Sequence, residues 1–353
     1  MGFPSCSPIG RTATHGRTVP YVPHDPKMPG TRTVVLATGT AEYAAQQLER
    51  VPGIEIVKRY ELASAHADGA LGPVLAEAGA WAVVAGSEPY TREVFEKTPE
   101  LAAILRWGTG SDAVDIAAAT DAGVAVVTTP AVNAEAVADL ALALMLACLR
   151  RLRELDAAVR DGEWRPRAPA RDLAGATVGI VALGAIGKAV TRRVRGFGCH
   201  VIAVEPHPDV EFCRRHDIEL TTLDEMLPRT DVLTLHAPAT PATRHLIGAP
   251  ELDALPRHAV LINAARGELV DQAALVDALH SGQIAAAGLD VFEHEPVESD
   301  DPILSAPNTV LSGHLASFSE LGLSRTGDAV VANLRELLTG KLPASTLNPE
   351  AWR

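Results

Sequence analysis

The chain predicts an α/β protein built from two successive doubly wound parallel-sheet units. Three observations carry that expectation. Short apolar runs of strand length alternate with helix-length segments from Thr33 onward, the pattern of parallel strands covered on both faces. A proline break at Thr129-Pro130, followed by a long helical stretch, divides the alternation into two series. Finally, 353 residues suffice for about two domains, at roughly 100 to 200 residues each.

In order, Thr33–Ala37 and Ile54–Lys58 read as short buried strands around a segment of Ala, Gln, Leu and Glu with helical character. Trp81–Ala85, Leu101–Leu105 and Val124–Val127 continue the first series. Asn133 is placed to cap one long helix from about Ala134 to Asp161. The second series opens at Thr177–Leu183 and continues through Val201–Val204, Val232–Leu235, Val260–Ile262 and Ala285–Leu289, with Val310-Leu311 as a last short strand. A helix over Asp328–Leu338 and a proline-containing tail follow. Residues 1–30 are rich in Pro, Gly, Thr and Arg without periodicity and are expected to form a flexible extension. No apolar segment there suits a secretory signal, and Met28 stands just before the first strand.

Composition narrows the function. Hydrophobic residues at 47% and charged residues at 21% are those of a folded globular chain. A net charge of −13 disfavours nucleic acid and anionic membrane surfaces as partners. The longest apolar stretch is broken by Asp139, short of the ~20 residues a membrane span needs. Cys6, Cys148, Cys199 and Cys213 are too widely spaced for a zinc or redox motif, so no metal is expected and a reducing, cytoplasmic compartment is.

The segment Ala182 to Gly187 follows a strand and opens a helix. There Gly184 would let the backbone approach a pyrophosphate, with Ala185 and Ile186 beginning the helix, and Gly187 would allow close helix–strand packing. Ala182 stands where such turns use a first glycine, a position whose positive φ suits alanine poorly. Glu205, about 20 residues on at the next strand end, is placed to accept hydrogen bonds from ribose hydroxyls and to repel a 2′-phosphate, so NAD is preferred over NADP. Alone, the pattern also fits a plain strand–turn–helix with a surface glutamate.

Arg266, Glu295 and His314 each end a strand-like run in this second series. A planar guanidinium can hold a carboxylate and polarise the adjacent carbonyl. A carboxylate against an imidazole favours the imidazolium and tunes it for proton transfer. Together they supply what hydride transfer at a 2-hydroxy or 2-keto acid asks of a protein. Glu293 competes with Glu295 for the acid, and His294 with His314 for the imidazole. Each residue by itself is more simply a cap, a surface ion pair or a solvated loop.

Several blocks in one order resemble the D-isomer-specific 2-hydroxyacid dehydrogenase family, its phosphoglycerate dehydrogenase branch above all. They are Arg106 to Asp112, Asn133 to Asp139, the glycine turn, His236 to Pro238, Asn263 to Gly267, Leu289 to Pro296 and Gly313 to Ala316. The resemblance runs from about Val34 to Pro349. It implies a Rossmann NAD-binding domain (131–316) inserted into a flavodoxin-like substrate domain (31–130 and 317–353). It also implies catalysis by Arg266, Glu295 and His314, with Asp290 holding the nicotinamide carboxamide. Ala264 and Ala265 would line the nicotinamide pocket, and His236, Ala237 and Pro238 the cofactor cleft. Backbone near Thr109 and Gly110, with Trp107 beside it, would bind substrate. A homodimer through the cofactor domain and the helix after Asn133 is expected.

Departures bear on the substrate. Ala182, Trp107 and Gly313 replace residues common in the family, and Ala85 stands where animal-type phosphoglycerate dehydrogenases carry a phosphate-binding arginine, with the carboxylate of Glu88 nearby. A small unphosphorylated acid such as glyoxylate or hydroxypyruvate is therefore as good an expectation as 3-phosphoglycerate. Feedback through a regulatory C-terminal domain is not expected. Two other readings use the same scaffold: an NAD(H)-sensing corepressor-like protein, and a phosphite dehydrogenase-like enzyme.

Overall fold

Valine, leucine and alanine dominate the strands because all but the edge strands Ile54–Lys58 and Ile218–Leu220 are largely buried, and the result is two all-parallel sheets. The computed structural model describes residues 30–64, 69–164 and 169–352. The expected N-terminal extension and Cys6 lie outside the described residues, apart from exposed Gly30.

The first sheet comprises β1 (Arg32–Leu36), β2 (Ile54–Lys58), β3 (Ala80–Ala85), β4 (Ala103–Arg106) and β5 (Ala125–Val127). Its order β2-β1-β3-β4-β5 is the flavodoxin-like arrangement. The second comprises β6 (Thr177–Val181), β7 (His200–Val204), β8 (Ile218–Leu220), β9 (Val232–Leu235), β10 (Val260–Asn263), β11 (Ala286–Leu289) and β12 (Thr309–Leu311). Its order is β12-β11-β10-β9-β6-β7-β8. The winding reverses between β6 and β9, which opens a crevice beyond their C-terminal ends.

The chain then returns to the first sheet. Val330, Val331, Leu334 and Leu337 of the helix Glu320–Leu338 pack with Val34, Leu36, Ala82 and Val84. Leu347 donates its backbone N–H to Val126 O, and the fully buried Asn348 staples the tail to β5. Its Oδ1 accepts from Val126 N at 2.8 Å, while its Nδ2 donates to Val124 O and Thr120 Oγ1 at 3.0 Å. The Rossmann sheet is thus inserted into the flavodoxin-like one.

Three local expectations are corrected. The long helix Ala134–Asp161 is two helices, Ala134–Leu149 and Leu152–Arg160, separated at Arg151, whose φ of 53° is left-handed. Its first half is an apolar segment buried against β10 and β11, whereas no residue of the second helix is buried. Asn133 occupies the N-cap position but its side chain makes no capping bond. The last helix begins eight residues earlier than expected, with Ser319 Oγ accepting from Gly322 N at 3.1 Å. Two glycines, Gly322 and Gly327, conceal this start in the sequence, because they lower helix propensity while allowing close packing. Strand β8 was not anticipated, since its three residues are mostly exposed.

Replacing Asn348 with alanine removes three buried hydrogen bonds and strands their partners, and should cost roughly 2–4 kcal/mol. Urea unfolding checks this; an unchanged midpoint would show that the tail does not hold the sheet edge.

Candidate active site

Parallel strands all end on the same edge of their sheet, so the loops after β6, β7, β9, β10, β11 and β12 gather at one crevice. After β6, Ala182 adopts a left-handed φ of 74°, the conformation that the turn demands and that costs alanine strain. A Cβ on Gly187 would lie 2.2 Å from Ala182 O, so only glycine lets the helix Ala185–Arg195 sit this close to the turn. A Cβ on Gly184 would meet nothing within 4 Å. The first turn of this helix carries no acidic residue, which leaves its N–H groups and dipole available to an anion.

Glu205 follows β7 and closes the turn. Its Oε2 accepts from Leu183 N at 2.8 Å and its Oε1 from His207 N at 2.9 Å. A carboxylate fixed this way retains lone pairs for ribose hydroxyls. The residues fit a dinucleotide: a close glycine turn, a helix N-terminus and an anchored carboxylate at the neighbouring strand end.

His236, Ala237 and Pro238 follow β9, with Ala237 buried and Pro238 exposed. The His236 ring nitrogen Nε2 lies 3.0 Å from Thr234 Oγ1, its Nδ1 is buried without a partner, and burial lowers its pKa to about 4. A neutral ring follows. After β10, Asn263 Nδ2 donates to Arg266 O at 2.8 Å and its Oδ1 accepts from Ala265 N at 3.1 Å. This staple shapes the loop through Ala264 and Ala265, and Ala264 packs with Val137, Ala316 and Ile186. Gly267 is obligatory here, because a Cβ would fall 1.8 Å from Phe292 O.

Glu295 and His314 are brought together: His314 Nδ1 lies 2.6 Å from Glu295 Oε2, and Glu295 Oε1 accepts from Phe292 N at 3.0 Å. The His314 pKa is raised, first by the hydrogen bond to Glu295 against the lowering effect of burial, then by the charges of Glu295 and Asp290 against that of Arg266. Burial pushes the Glu295 carboxyl up, but the bond and charge of His314, the Phe292 amide and Arg266 outweigh it and hold it low. Arg266 is therefore close enough to act electrostatically on both. The competitors are elsewhere. Glu293 pairs with His245 at 2.7 Å and Arg244 at 3.1 Å, and it is His314 rather than His294 that meets Glu295.

Asp290 has a task that the sequence did not reveal. It is fully buried, and its Oδ1 accepts from Ser312 Oγ at 2.6 Å and Leu315 N at 2.9 Å, its Oδ2 from Ala316 N at 2.8 Å. Its backbone O accepts from His314 N at 2.6 Å. These bonds fix the loop carrying His314, whose φ of 56° is left-handed.

From the first sheet, the loop after β4 meets this edge. Arg266 Nε donates to Asp112 Oδ2 at 2.8 Å, and a Cβ on Gly110 would lie 1.9 Å from Arg266 Nη2. Thr109 is exposed, with its Oγ1 3.4 Å from Thr129 O, and Gly108 N donates to Thr129 Oγ1 at 3.0 Å. Trp107, expected beside the substrate, packs on the first core, its Cη2 3.6 Å from where a Gly327 Cβ would be. Glu88 is fully buried, accepting from Gly86 N at 2.9 Å and Tyr90 Oη at 2.8 Å. Its carboxyl thus staples its own loop. Among the described residues no group of His, Cys, Asp or Glu suits a metal, and no helix is long and apolar enough to cross a membrane.

The profile of the D-isomer specific 2-hydroxyacid dehydrogenase NAD binding domain matches residues 142–316. A glyoxylate reductase of Korarchaeum cryptofilum is 40% identical over 269 residues, 75% of this chain and 81% of that protein. A D-3-phosphoglycerate dehydrogenase of Methanocaldococcus jannaschii is 37% identical over 268 residues, 75% of this chain but 51% of that longer protein. A crystal structure of an NADPH-dependent glyoxylate/hydroxypyruvate reductase from Sinorhizobium meliloti, in complex with NADP and malonate, is similar with a TM-score of 0.78 at 31% identity. That match covers 92% of this chain and 99% of the reductase. With its Rossmann sheet, its glycine turn and these relatives, the chain belongs to the D-isomer-specific 2-hydroxyacid dehydrogenases.

Proposed function

We propose that the protein is an NAD-dependent reductase of small, unphosphorylated 2-keto acids of the glyoxylate and hydroxypyruvate type, and catalyses the reverse oxidation of the D-2-hydroxy acids. The observation that carries the chemistry is the 2.6 Å contact between His314 and Glu295 beside Arg266. Arg266 receives the substrate carboxylate and polarises the keto oxygen. Protonated His314, held by Glu295, donates its Nε2 proton to that oxygen during reduction and accepts one during oxidation. When bound, the nicotinamide supplies or takes up the hydride. Backbone of Thr109 and Gly110 faces the carboxylate from the opposite side. Ala85 places no cation at the end of β3, which supports an unphosphorylated substrate. We assign residues 31–130 and 317–353 to the substrate domain and 131–316 to the cofactor domain.

Preference for NAD rests on Glu205, because its anchored carboxylate would oppose a 2′-phosphate. A homodimer is supported by the helix Leu152–Arg160, none of whose residues is fully buried among the described residues, while Leu152, Val159 and nearby Trp164 are 53%, 57% and 83% exposed. Buried free thiols at Cys148, Cys199 and Cys213 suit a reducing cytoplasm.

Keto-acid-dependent NADH consumption across glyoxylate, hydroxypyruvate, pyruvate and phosphohydroxypyruvate tests the assignment. His314→Ala should lose about 10²–10⁴-fold in kcat; unimpaired turnover by that variant would refute it. Because the raised His314 pKa keeps the imidazolium present to higher pH, the reduction rate should fall only as pH rises through that value. Glu295→Gln should move the fall to lower pH, which a pH–rate profile of each protein will show. Glu205→Gln keeps an acceptor for Leu183 N but removes the charge, so its NADPH/NADH ratio of kcat/KM should rise roughly tenfold. A ratio that stays put would place cofactor selection elsewhere. Light scattering should give about twice the 37.1 kDa chain mass; a monomer would dismiss the Leu152–Arg160 interface.

A further inference from the structure

Every nitrogen of the Arg266 guanidinium has a distinct fate, and one of them depends on a residue given no role so far. Nη1 donates to Ala265 O at 2.7 Å within its own loop. Nε donates to Asp112 Oδ2 at 2.8 Å. Nη2 makes no hydrogen bond to any described residue and lies over the Cα of Gly110, close enough that a Cβ there would be 1.9 Å away. Gly110 in turn is held from beneath, its carbonyl accepting from Arg106 Nε at 3.0 Å.

Asp112 follows β4 of the first sheet and Arg266 follows β10 of the second, 154 positions apart in the chain. The pair is the hydrogen-bonded contact that joins the proposed carboxylate-binding loop to the proposed catalytic arginine. We propose that Asp112 is a positioning residue, which by holding the Nε edge of Arg266 turns Nη2 toward the substrate and makes that alignment conditional on apposition of the two lobes.

Two physical consequences follow. A guanidinium offers two bidentate edges, Nε with one terminal nitrogen, or the two terminal nitrogens together. With Nε given to Asp112 and one N–H of Nη1 to Ala265 O, the edge containing Nε is closed to the substrate, and the free N–H groups of the terminal nitrogens, both of those on Nη2 included, are what remains for it. A side chain with four rotatable bonds would otherwise spread that nitrogen over many rotamers. Because the anchor belongs to the other lobe, separating the lobes frees the arginine at the moment the site opens, which suits exchange of acid substrate and product.

The proposal rests on Arg266 being the substrate-binding arginine, and that assignment fails separately if Arg266→Lys turns over glyoxylate with an unchanged KM. Three proteins are compared for glyoxylate KM and kcat, for NADH affinity by fluorescence and for thermal midpoint: wild type, Asp112→Ala and Asp112→Asn. Asp112→Ala should raise the KM for glyoxylate roughly 10- to 100-fold, the size of one charge-assisted hydrogen bond, with NADH affinity unchanged. Asparagine keeps an oxygen for Nε and should restore most of the loss. In an Arg266→Lys background, Asp112→Ala should cost less than about twofold more, since coupled residues are not additive. An unchanged KM in Asp112→Ala, a parallel loss of NADH affinity, or full additivity with Arg266→Lys would each overturn the proposal. If the alanine variant does not fold, Asp112→Ser, whose shorter side chain cannot reach Nε, takes its place in the same cycle, and an unchanged KM or full additivity with Arg266→Lys overturns the proposal in the same way.

Discussion

The buried carboxyl of Asp290 is the interaction on which the geometry of the reacting edge depends. Burying such a group is costly unless its oxygens are satisfied, and here the hydroxyl of Ser312 and the amides of Leu315 and Ala316 satisfy them. Those same bonds fold the chain after β12 back over the end of β11. The loop can hold His314 in a left-handed conformation only because the bonds on either side outweigh the local strain. Asp290 also contributes charge, since it adds to the effect of Glu295 in raising the His314 pKa. One side chain therefore sets both the position of the imidazole and part of its field.

Arg266 acts against that field. Its positive charge lowers the His314 pKa and helps to hold the Glu295 carboxyl low. A lone arginine beside an acid–base histidine would favour the neutral ring and weaken the proton donor. Glu295 in direct contact and Asp290 behind tip the balance the other way. Asp112 lies on the far side of the guanidinium, where its charge partly offsets that of Arg266. The site thus carries three carboxyls around one arginine and one histidine, and Nη2 of Arg266 and Nε2 of His314 are left without a partner among the described residues.

Much of this was legible in the sequence, and what was missed has physical reasons. The strands were visible because parallel strands buried on both faces leave continuous apolar runs, and the order of blocks located Arg266, Glu295 and His314 at strand ends. Choosing Glu295 over Glu293 needed coordinates, since two residues' separation on a loop carries no periodicity, and it is the pairing of Glu293 with His245 and Arg244 that removes the competitor. The packing of Trp107 was not legible because an aromatic beside a glycine-rich loop gives no sign of which way it faces; Gly327, against which it lies, is 220 positions away, where the missing side chain makes room. In the sequence Glu88 is only a carboxylate near the end of β3, and nothing there shows that Gly86 N and Tyr90 Oη claim it. The helix break at Arg151 was hidden because arginine is a good helix former locally, and only the change from a buried to an exposed helix requires the turn.

The glycine turn shows how the fold tolerates a substitution that local rules argue against. Ala182 does adopt a left-handed backbone, at a φ of 74°, so the objection to alanine there was physically sound. The strain, of about 1–2 kcal/mol for one residue, persists because both sides of the turn are fixed. Ala182 N donates to Val204 O, Leu183 N is held by Glu205, and Gly187 packs on Ala182 O with no room for a Cβ. The carboxylate proposed to select the cofactor is therefore also a brace for the glycine turn. That coupling explains why charge and hydrogen bonding at Glu205 must be separated by an isosteric change, since removing the side chain outright would loosen the glycine turn together with the proposed ribose contact.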